Sequence, residues 1–404
     1  MPVKWTEGNA FELLENGEEF FPAVFDAIAA ARSSVIIETF IIFDDLVGQE
    51  LAQALINAAQ RGVHVEVTVD GYGTADLPDA YVNELVQAGV RLHFFDLKPR
   101  RFGLRTNLFR RLHRKIVLID SELAFVGGIN FSVDHLIKSG PLAKQDYAVK
   151  ITGPIVADIE RDTLRLLEAA QKKSSLWKRL RWRRRPPSAQ PGGIVAAWVI
   201  RDNDEHTNDI ERHYRHAIRA AQREITLANA YFFPGYSLLR DLRRAAKRGV
   251  KVRLILQGEP DMRWAQFAAT MLYDYLLSGG VQIYEYCERP FHGKVATVDG
   301  QWATVGSSNL DPLSLALNIE GNVIIRDAAF SACLQERLDC LLESQCRPVE
   351  RGSRPRRRIQ RMLVGVFVFH FLRRFPAWAN KFPAKQPQLT TLEGDLEDLQ
   401  KGES

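Results

Sequence analysis

The chain has 404 residues, 46% of them hydrophobic and 25% charged, a balance that suits folded globular lobes and argues against a disordered chain. That length exceeds one ordinary domain, so two lobes, each burying its own core, are expected. The formal charge of +5 favours an anionic partner over a cationic one and leaves lipid and polynucleotide both open.

The opening residues, MPVKWTEGNAFELLENGEEF, are acidic where a secretory leader is basic, and they lack an apolar run; a cytoplasmic chain is expected. No stretch of about eighteen apolar residues follows, which argues against a membrane-spanning helix. PAVFDAIAAARSSVIIETFIIF then joins amphipathic helical spacing to a β-branched strand. LAQALINAAQRGVHVEVTVDG does the same, with Gly62 in the usual helix-stop position, and YVNELVQAGVRLHFF does so a third time. The series returns in order as HYRHAIRAAQREITLANAYFF, LRDLRRAAKRGVKVRLILQGE with Gly249, and LYDYLLSGGVQIYEY. This duplication predicts two α/β lobes, residues 1–170 and 194–347, each a largely parallel sheet under flanking helices.

The copies differ in one loop. Val90 to His113 spans 23 residues and Val281 to His292 only 11; the extra segment carries Lys98, Arg100, Arg101, Arg105, Arg110 and Arg111. Between the lobes, residues 171–193 interleave basic residues with Trp177 and Trp182, which suits either an anionic membrane surface or a solvated helix end and linker. Residues 348–404 form a tail whose apolar stretch Met362–Leu372 is bracketed by arginines, readable as an interfacial anchor or as a terminal helix packed on the second lobe. From Leu392 onward the chain is acidic and polar, and disorder is expected. Cys287, Cys333, Cys340 and Cys346 lack the short paired spacing of a zinc site or disulfide framework and read as reduced thiols.

Each repeat ends in the same constellation. LHRKIVLID supplies His113, Lys115 and Asp120, and FHGKVATVD supplies His292, Lys294 and Asp299. Strand alternation puts His and Lys, two apart, on one face. A set that occurs twice suits displacement at a phosphodiester: a neutral imidazole attacks phosphorus while a protonated one gives its proton to the leaving oxygen. The lysines would neutralise the non-bridging oxygens, and no metal is required. Seven residues beyond each aspartate begin GGIN and GSSN, whose Asn130, Ser307 and Asn309 can approach a phosphate. Farther on stand Asp146 and Glu320, candidates to accept a bond from the distal imidazole nitrogen, with Glu320 the preferred partner of His292. Asp120 and Asp299 fit equally well as orienting carboxylates or as caps of the turns IDSE and VDGQ. His206, His213 and His216 read as helix-surface residues, and no metal-ligand spacing is evident.

At these residues the chain resembles the phospholipase D superfamily, and within it the bacterial cardiolipin synthases of the B type. The narrower resemblance rests on LLENGEEFFPAVFDAI, RRLHRKIVLID, GPLAKQDYAV, NAYFFPGY, LILQGEPDM, ATVGSSNLDPLSLALN and FHFLRRFPA. It implies two fused, duplicated phospholipase D-like lobes related by a pseudo-two-fold, with mixed, mostly parallel sheets. It implies metal-free, cofactor-free phosphatidyl transfer through a phosphohistidine, with phosphatidylglycerol as donor and acceptor and glycerol released. By analogy His113 is the nucleophile and His292 the acid and later the base, although the sequence itself leaves that choice open. Gly128 stands where the family often has the serine that Ser307 keeps, so the first half-site lacks a hydroxyl donor. The chain has no counterpart of the N-terminal transmembrane pair of some other cardiolipin synthases. A peripheral place on the cytoplasmic face of a bacterial membrane is therefore expected, reached through the basic linker and tail. The rival readings are a phosphodiesterase of the same superfamily acting on other phospholipids or nucleic acid, and an inactive membrane scaffold. Lipid is the expected partner over nucleic acid, and the oligomeric state is left open.

Overall fold

The structure, a computed structural model, describes residues 3–74, 76–97, 110–170, 192–258, 272–351 and 389–392. The basic residues Lys98 to Arg105, the linker from 171 to 191, the apolar tail stretch and the acidic end lie outside the described residues.

The first lobe runs β1 (Trp5–Glu15), α1 (Asn16–Ala30), β2 (Ser34–Thr39), α2 (Leu46–Gln60), β3 (His64–Asp70), α3 (Asp79–Gln87), β4 (Arg91–Phe95), β5 (Ile116–Ile119), β6 (Leu123–Gly127), β7 (Tyr147–Thr152) and α4 (Ile155–Ala170). The second repeats the plan: β8 (Ile194–Arg201), α5 (Asp209–Ala220), β9 (Glu224–Asn229), α6 (Tyr236–Lys247), β10 (Lys251–Gln257), β11 (Gln282–Tyr286), β12 (Lys294–Val298), β13 (Trp302–Gly306) and β14 (Glu320–Arg326). A helix Ala328–Ser344 and strands β15 (Cys346–Pro348) and β16 (Leu389–Leu392) follow. Helix α2 ends one residue before Arg61, and Gly62 takes φ +84°, as Gly249 takes +94° after α6, so the helix-stop reading of both glycines matches the backbone.

The strands form one sheet in the order β15-β11-β10-β9-β12-β13-β14-β8-β1-β7-β6-β5-β2-β3-β4-β16. Read outward from the antiparallel β8–β1 join, the two halves are mirror lists, which is the duplication in topological form. The α/β class stands, but the expectation of a mostly parallel sheet needs correction. Among the described residues only four of the fifteen pairings are parallel, β2–β3, β3–β4, β9–β10 and β10–β11, all joined by crossovers. The rest are antiparallel; β5–β6 and β12–β13 are tight hairpins, in which a short turn reverses the chain. Their turns, Asp120-Ser121 (φ +53° and +60°) and Asp299-Gly300 (+53° and +63°), have the left-handed central residues that fit strand twist.

Apolar burial falls into three main clusters. Val24, Ile28, Leu51, Leu55 and Leu85 of α1, α2 and α3 pack on Val35, Ile37, Val65 and Val67 of the first lobe. Tyr214, Ile218, Leu238 and Leu242 do the same on Ile225, Leu227 and Leu254 of the second. The third cluster joins the lobes: Val126, Val149 and Ile159 meet Trp198, Val305, Val323, Phe330 and Leu334. Neither lobe keeps that inner face dry alone, so burial of this surface holds the two half-sites in register. One element was not foreseen: β16 pairs with the edge strand β4, Leu389 opposite Phe95 and Leu392 opposite Leu92, within what had read as tail.

Candidate active site

Each histidine is set by the other lobe. The segment before β5 bridges the one before β14, His113 N–H donating to Ile319 C=O at 2.9 Å and Ile319 N–H to Arg111 C=O at 2.8 Å. The mirror contact joins the segments before β12 and β7: His292 N–H donates to Gln145 C=O at 2.7 Å and Gln145 N–H to Pro290 C=O at 2.8 Å. The residue after each clamp is a carboxylate, so Glu320 faces His113 and Asp146 faces His292. His113 Nδ1 is 3.0 Å from Glu320 Oε2, and His292 Nδ1 is 2.5 Å from Asp146 Oδ2. The expected partnership of Glu320 with His292 is thereby corrected. Along the chain Glu320 follows His292, but the pseudo-two-fold crosses the carboxylates between lobes.

Lys115 Nζ donates to His113 C=O at 2.8 Å, and Lys294 donates to His292 C=O while lying 2.9 Å from His292 Nδ1. Both lysines are buried. Burial, in the company of the other lysine, pushes Lys115 down to about 7; burial pushes Lys294 down to about 8. A bound anion would favour their charged forms. Burial also lowers His113 and lowers His292 well below the ordinary imidazole range, the latter with help from the Lys294 charge. The carboxylates diverge. Burial raises Asp146 against the partial offset of Lys294, whereas the burial of Glu320 is outweighed by His113, Lys115 and the Ser307 hydroxyl, which hold it below the usual range.

The supporting residues lie at the same end of the strands. Ser307 Oγ donates to Glu320 Oε2 at 2.5 Å. Asn130 and Asn309, leaving β6 and β13, are buried with their Oδ1 atoms unmatched by a donor among the described residues. Asp120 and Asp299 are elsewhere, at the opposite ends of β5 and β12. Asp120 accepts the backbone N–H groups of Arg32, Ser33 and Ser34 at 2.9, 2.7 and 2.9 Å, and Asp299 those of Gln222, Arg223 and Glu224 at 2.8, 2.8 and 2.9 Å. These two aspartates, counted with the catalytic set in the sequence, tie each hairpin turn to the neighbouring helix-to-strand turn.

Sequence reasoning missed the residues that hold the site from behind. Asp70, buried and pushed up to about 6 by that burial, accepts Leu112 N–H at 2.8 Å as well as Tyr72 and Gly73 N–H, anchoring the chain one residue before His113. Asn16, at φ +60°, accepts Asp146 N–H on its side chain at 2.9 Å and donates its own N–H to Asp146 C=O at 2.9 Å. Arg201 donates to Asn318 C=O at 2.6 Å and to Ala316 C=O, bracing the loop that delivers Glu320. A buried histidine, His135, lies beside Asp146 and His292, as a lone loop residue with no spacing signal. These three could offer metal ligands within 4.8 Å of one another, but Lys294 Nζ, 4.0 Å from Asp146 Oδ2, already supplies the cation there.

Comparison with known proteins places this architecture. The fold is that of the phosphatidylserine synthase of Haemophilus influenzae Rd KW20, whose crystal structure superposes with a TM-score of 0.66 at 15% identity, over 94% of this chain and 96% of that one. In sequence, residues 24–163 and 214–342 match the family described as cardiolipin synthase, PLD-like domain. Cardiolipin synthase B of Salmonella typhi is 52% identical over 96% of this chain and 94% of its own, and that of Escherichia coli K12 is 51% identical over 97% and 95%. Cardiolipin synthase A of Pseudomonas aeruginosa LESB58 is 32% identical over 88% of this chain and 71% of its own. The chain belongs to the cardiolipin synthase family of phospholipase D-like proteins, as its doubled motif suggested.

Proposed function

We propose that this protein is a phosphatidyltransferase that makes cardiolipin from two phosphatidylglycerol molecules. In the first half-reaction His113 Nε2 attacks the donor phosphorus while the bond to the glycerol headgroup oxygen breaks; His292 gives that oxygen its proton, and glycerol leaves. In the second, His292 takes the proton from a hydroxyl of the acceptor phosphatidylglycerol. That oxygen attacks phosphorus, the phosphorus–nitrogen bond breaks, and cardiolipin leaves. Lys115 and Lys294 neutralise the non-bridging oxygens throughout.

The observation that carries this reading is the crossed pair of imidazole–carboxylate contacts. Each contact directs a ring's Nδ1 to its carboxylate and leaves Nε2 for chemistry. The carboxylate asymmetry supports the division of roles. Burial holds His113 neutral, as a nucleophile needs, against the upward pull of ionised Glu320, whereas a raised Asp146 keeps a proton within its pair with His292, as an acid needs. Lipid is favoured over nucleic acid by the exposed apolar side chains. Phe43, Leu46 at the start of α2, Leu97, Ile137 and Leu142 all lie in the first-lobe connections at the active-site end, where a membrane and not a polynucleotide would meet them. Peripheral association with the cytoplasmic face of a bacterial membrane fits the absence, among the described residues, of any helix long and apolar enough to cross one.

The test is to incubate purified protein with labelled phosphatidylglycerol, with and without phosphatidylethanolamine or glycerol, and to identify the lipids by mass spectrometry. Cardiolipin with equimolar glycerol is expected. Phosphatidic acid as the main product would make the protein a hydrolase, and no lipid conversion would overturn the reading.

A further inference from the structure

The two half-sites share one plan but differ in the carboxylate, Glu320 in one and Asp146 in the other, and in what supports it. In the second, Ser307 Oγ donates to Glu320 Oε2 at 2.5 Å, so the carboxylate facing His113 is held from two sides. In the first, the matching residue is Gly128, and a Cβ there would lie 2.3 and 2.6 Å from the Asp146 oxygens, so no serine fits. The neighbouring space is taken by His135. This ring is fully buried, at the end of the 3-10 turn Val133–His135, which Ser132 caps by accepting Asp134 N–H at 3.1 Å. Its Nε2 accepts Asn130 N–H at 3.3 Å, which puts the proton of the neutral ring on Nδ1, and burial holds its pKa well below the ordinary range. Nδ1 has no hydrogen-bond partner among the described residues and faces Asp146 Oδ2 at 4.0 Å, the same oxygen that meets His292. The rings of His135 and His292 stand edge to face, centroids 5.6 Å apart and planes at 71°.

We propose that His135 is a positioning residue of the first half-site: its Nδ1–H closes on Asp146 when a phosphodiester binds, and so does for the Asp146–His292 pair what Ser307 does for Glu320 and His113. Bonds of this kind are often long before substrate arrives and tighten in its complex. The inference deepens the transfer reaction above and rests on it.

A purely structural His135 would act through Asn130 N–H and the shape of the GGIN turn. Two near-isosteric variants separate the roles, because an asparagine amide reaches the Nδ1 position and a glutamine amide the Nε2 position. His135→Gln, which keeps the turn contact and loses the donor, is expected to lower kcat on phosphatidylglycerol about tenfold with KM nearly unchanged, while His135→Asn stays within about threefold of the parent. Without the donor, ionised Asp146 is less stabilised and its pair with His292 keeps its proton longer, so the alkaline limb of the pH–rate profile moves to higher pH in the glutamine variant. Parent-like kcat and pH profile in His135→Gln, or equal impairment in His135→Asn, would assign His135 to the turn alone and overturn the proposal. A second arm needs no lipid turnover. In nitrogen-15 histidine spectra of the parent protein, added inorganic phosphate is expected to shift the Nδ1 proton of His135 downfield as the contact closes, and an unmoved signal counts against it even where the transfer assay fails.

Discussion

The crossing of carboxylates gives each catalytic side chain a separate and measurable task. His113→Ala and His292→Ala are each expected to lower transfer at least about a thousandfold, since nucleophile and acid act in one displacement. They differ in what can be trapped: quenching with labelled phosphatidylglycerol yields a phosphatidyl-protein adduct in His292→Ala and none in His113→Ala, and the reverse would exchange the two roles. The lysines carry a pH signature. A lysine lowered to about 7 or 8 in the fold and near 10.4 when unfolded binds fewer protons folded, so this pair makes stability rise with pH from about 7 to 10. Binding an anion recharges them, so inorganic phosphate is expected to bind with proton uptake near pH 8. Calorimetry in buffers of different ionisation enthalpy reads that uptake directly, and proton release on binding would contradict the assignment.

At the scale of elements, the hairpins β5–β6 and β12–β13 show what part of the motif is architecture. Asp120 gathers three backbone N–H groups from the turn between α1 and β2, together with the Ser33 hydroxyl at 2.8 Å, so it fixes β5 against β2 at the end far from His113. Asp120→Ala is expected to cost about 1–3 kcal/mol of stability, read as a lowered midpoint in urea, while kcat of the folded protein stays unchanged. A large fall in kcat with unchanged stability would return Asp120 to the chemistry. The upward pull of burial on both aspartates is outweighed by these N–H donors, so their contribution is present above about pH 4 and is lost as pH falls through the depressed values. The same hairpins explain what the sequence could reveal. Helix-strand alternation exposed the repeat, and strand period put His113 with Lys115 and His292 with Lys294. Pairing direction did not follow from alternation, and the partner of each histidine lies in the other half of the chain, where spacing carries no signal. Asp70, Asn16 and Arg201 act through backbone groups, which leave no pattern in residue types.

For the whole molecule, the consequence is that neither lobe contains a complete half-site. His113 needs Glu320 and the Ile319 carbonyl from the second lobe, and His292 needs Asp146 and the Gln145 carbonyl from the first. The lobes are held to this geometry by the β1–β8 pairing and by the apolar cluster that both contribute. The C-terminal chain adds a further tie, since β15 follows the second lobe onto β11 while β16 covers β4 at the far edge of the first. Removing everything after residue 353 therefore tests two things at once, membrane contact and the covering of an edge strand. Replacing apolar residues within Met362–Leu372 by serine leaves β16 in place and isolates the first, with weaker binding to anionic vesicles expected and unchanged binding counting against an anchor there. Splitting the chain inside the linker tests the shared site itself. Fragments 1–182 and 183–404, produced separately, are each expected to show no transfer, because each lacks both the opposing carboxylate and the opposing histidine. Produced together they are expected to associate through β1–β8 and recover transfer, and a mixture of fragments bearing His113→Ala and intact His292 should stay inactive. Transfer by either fragment alone at a rate near that of the whole chain would mean that one half-site suffices, and the crossed arrangement would then have no catalytic purpose.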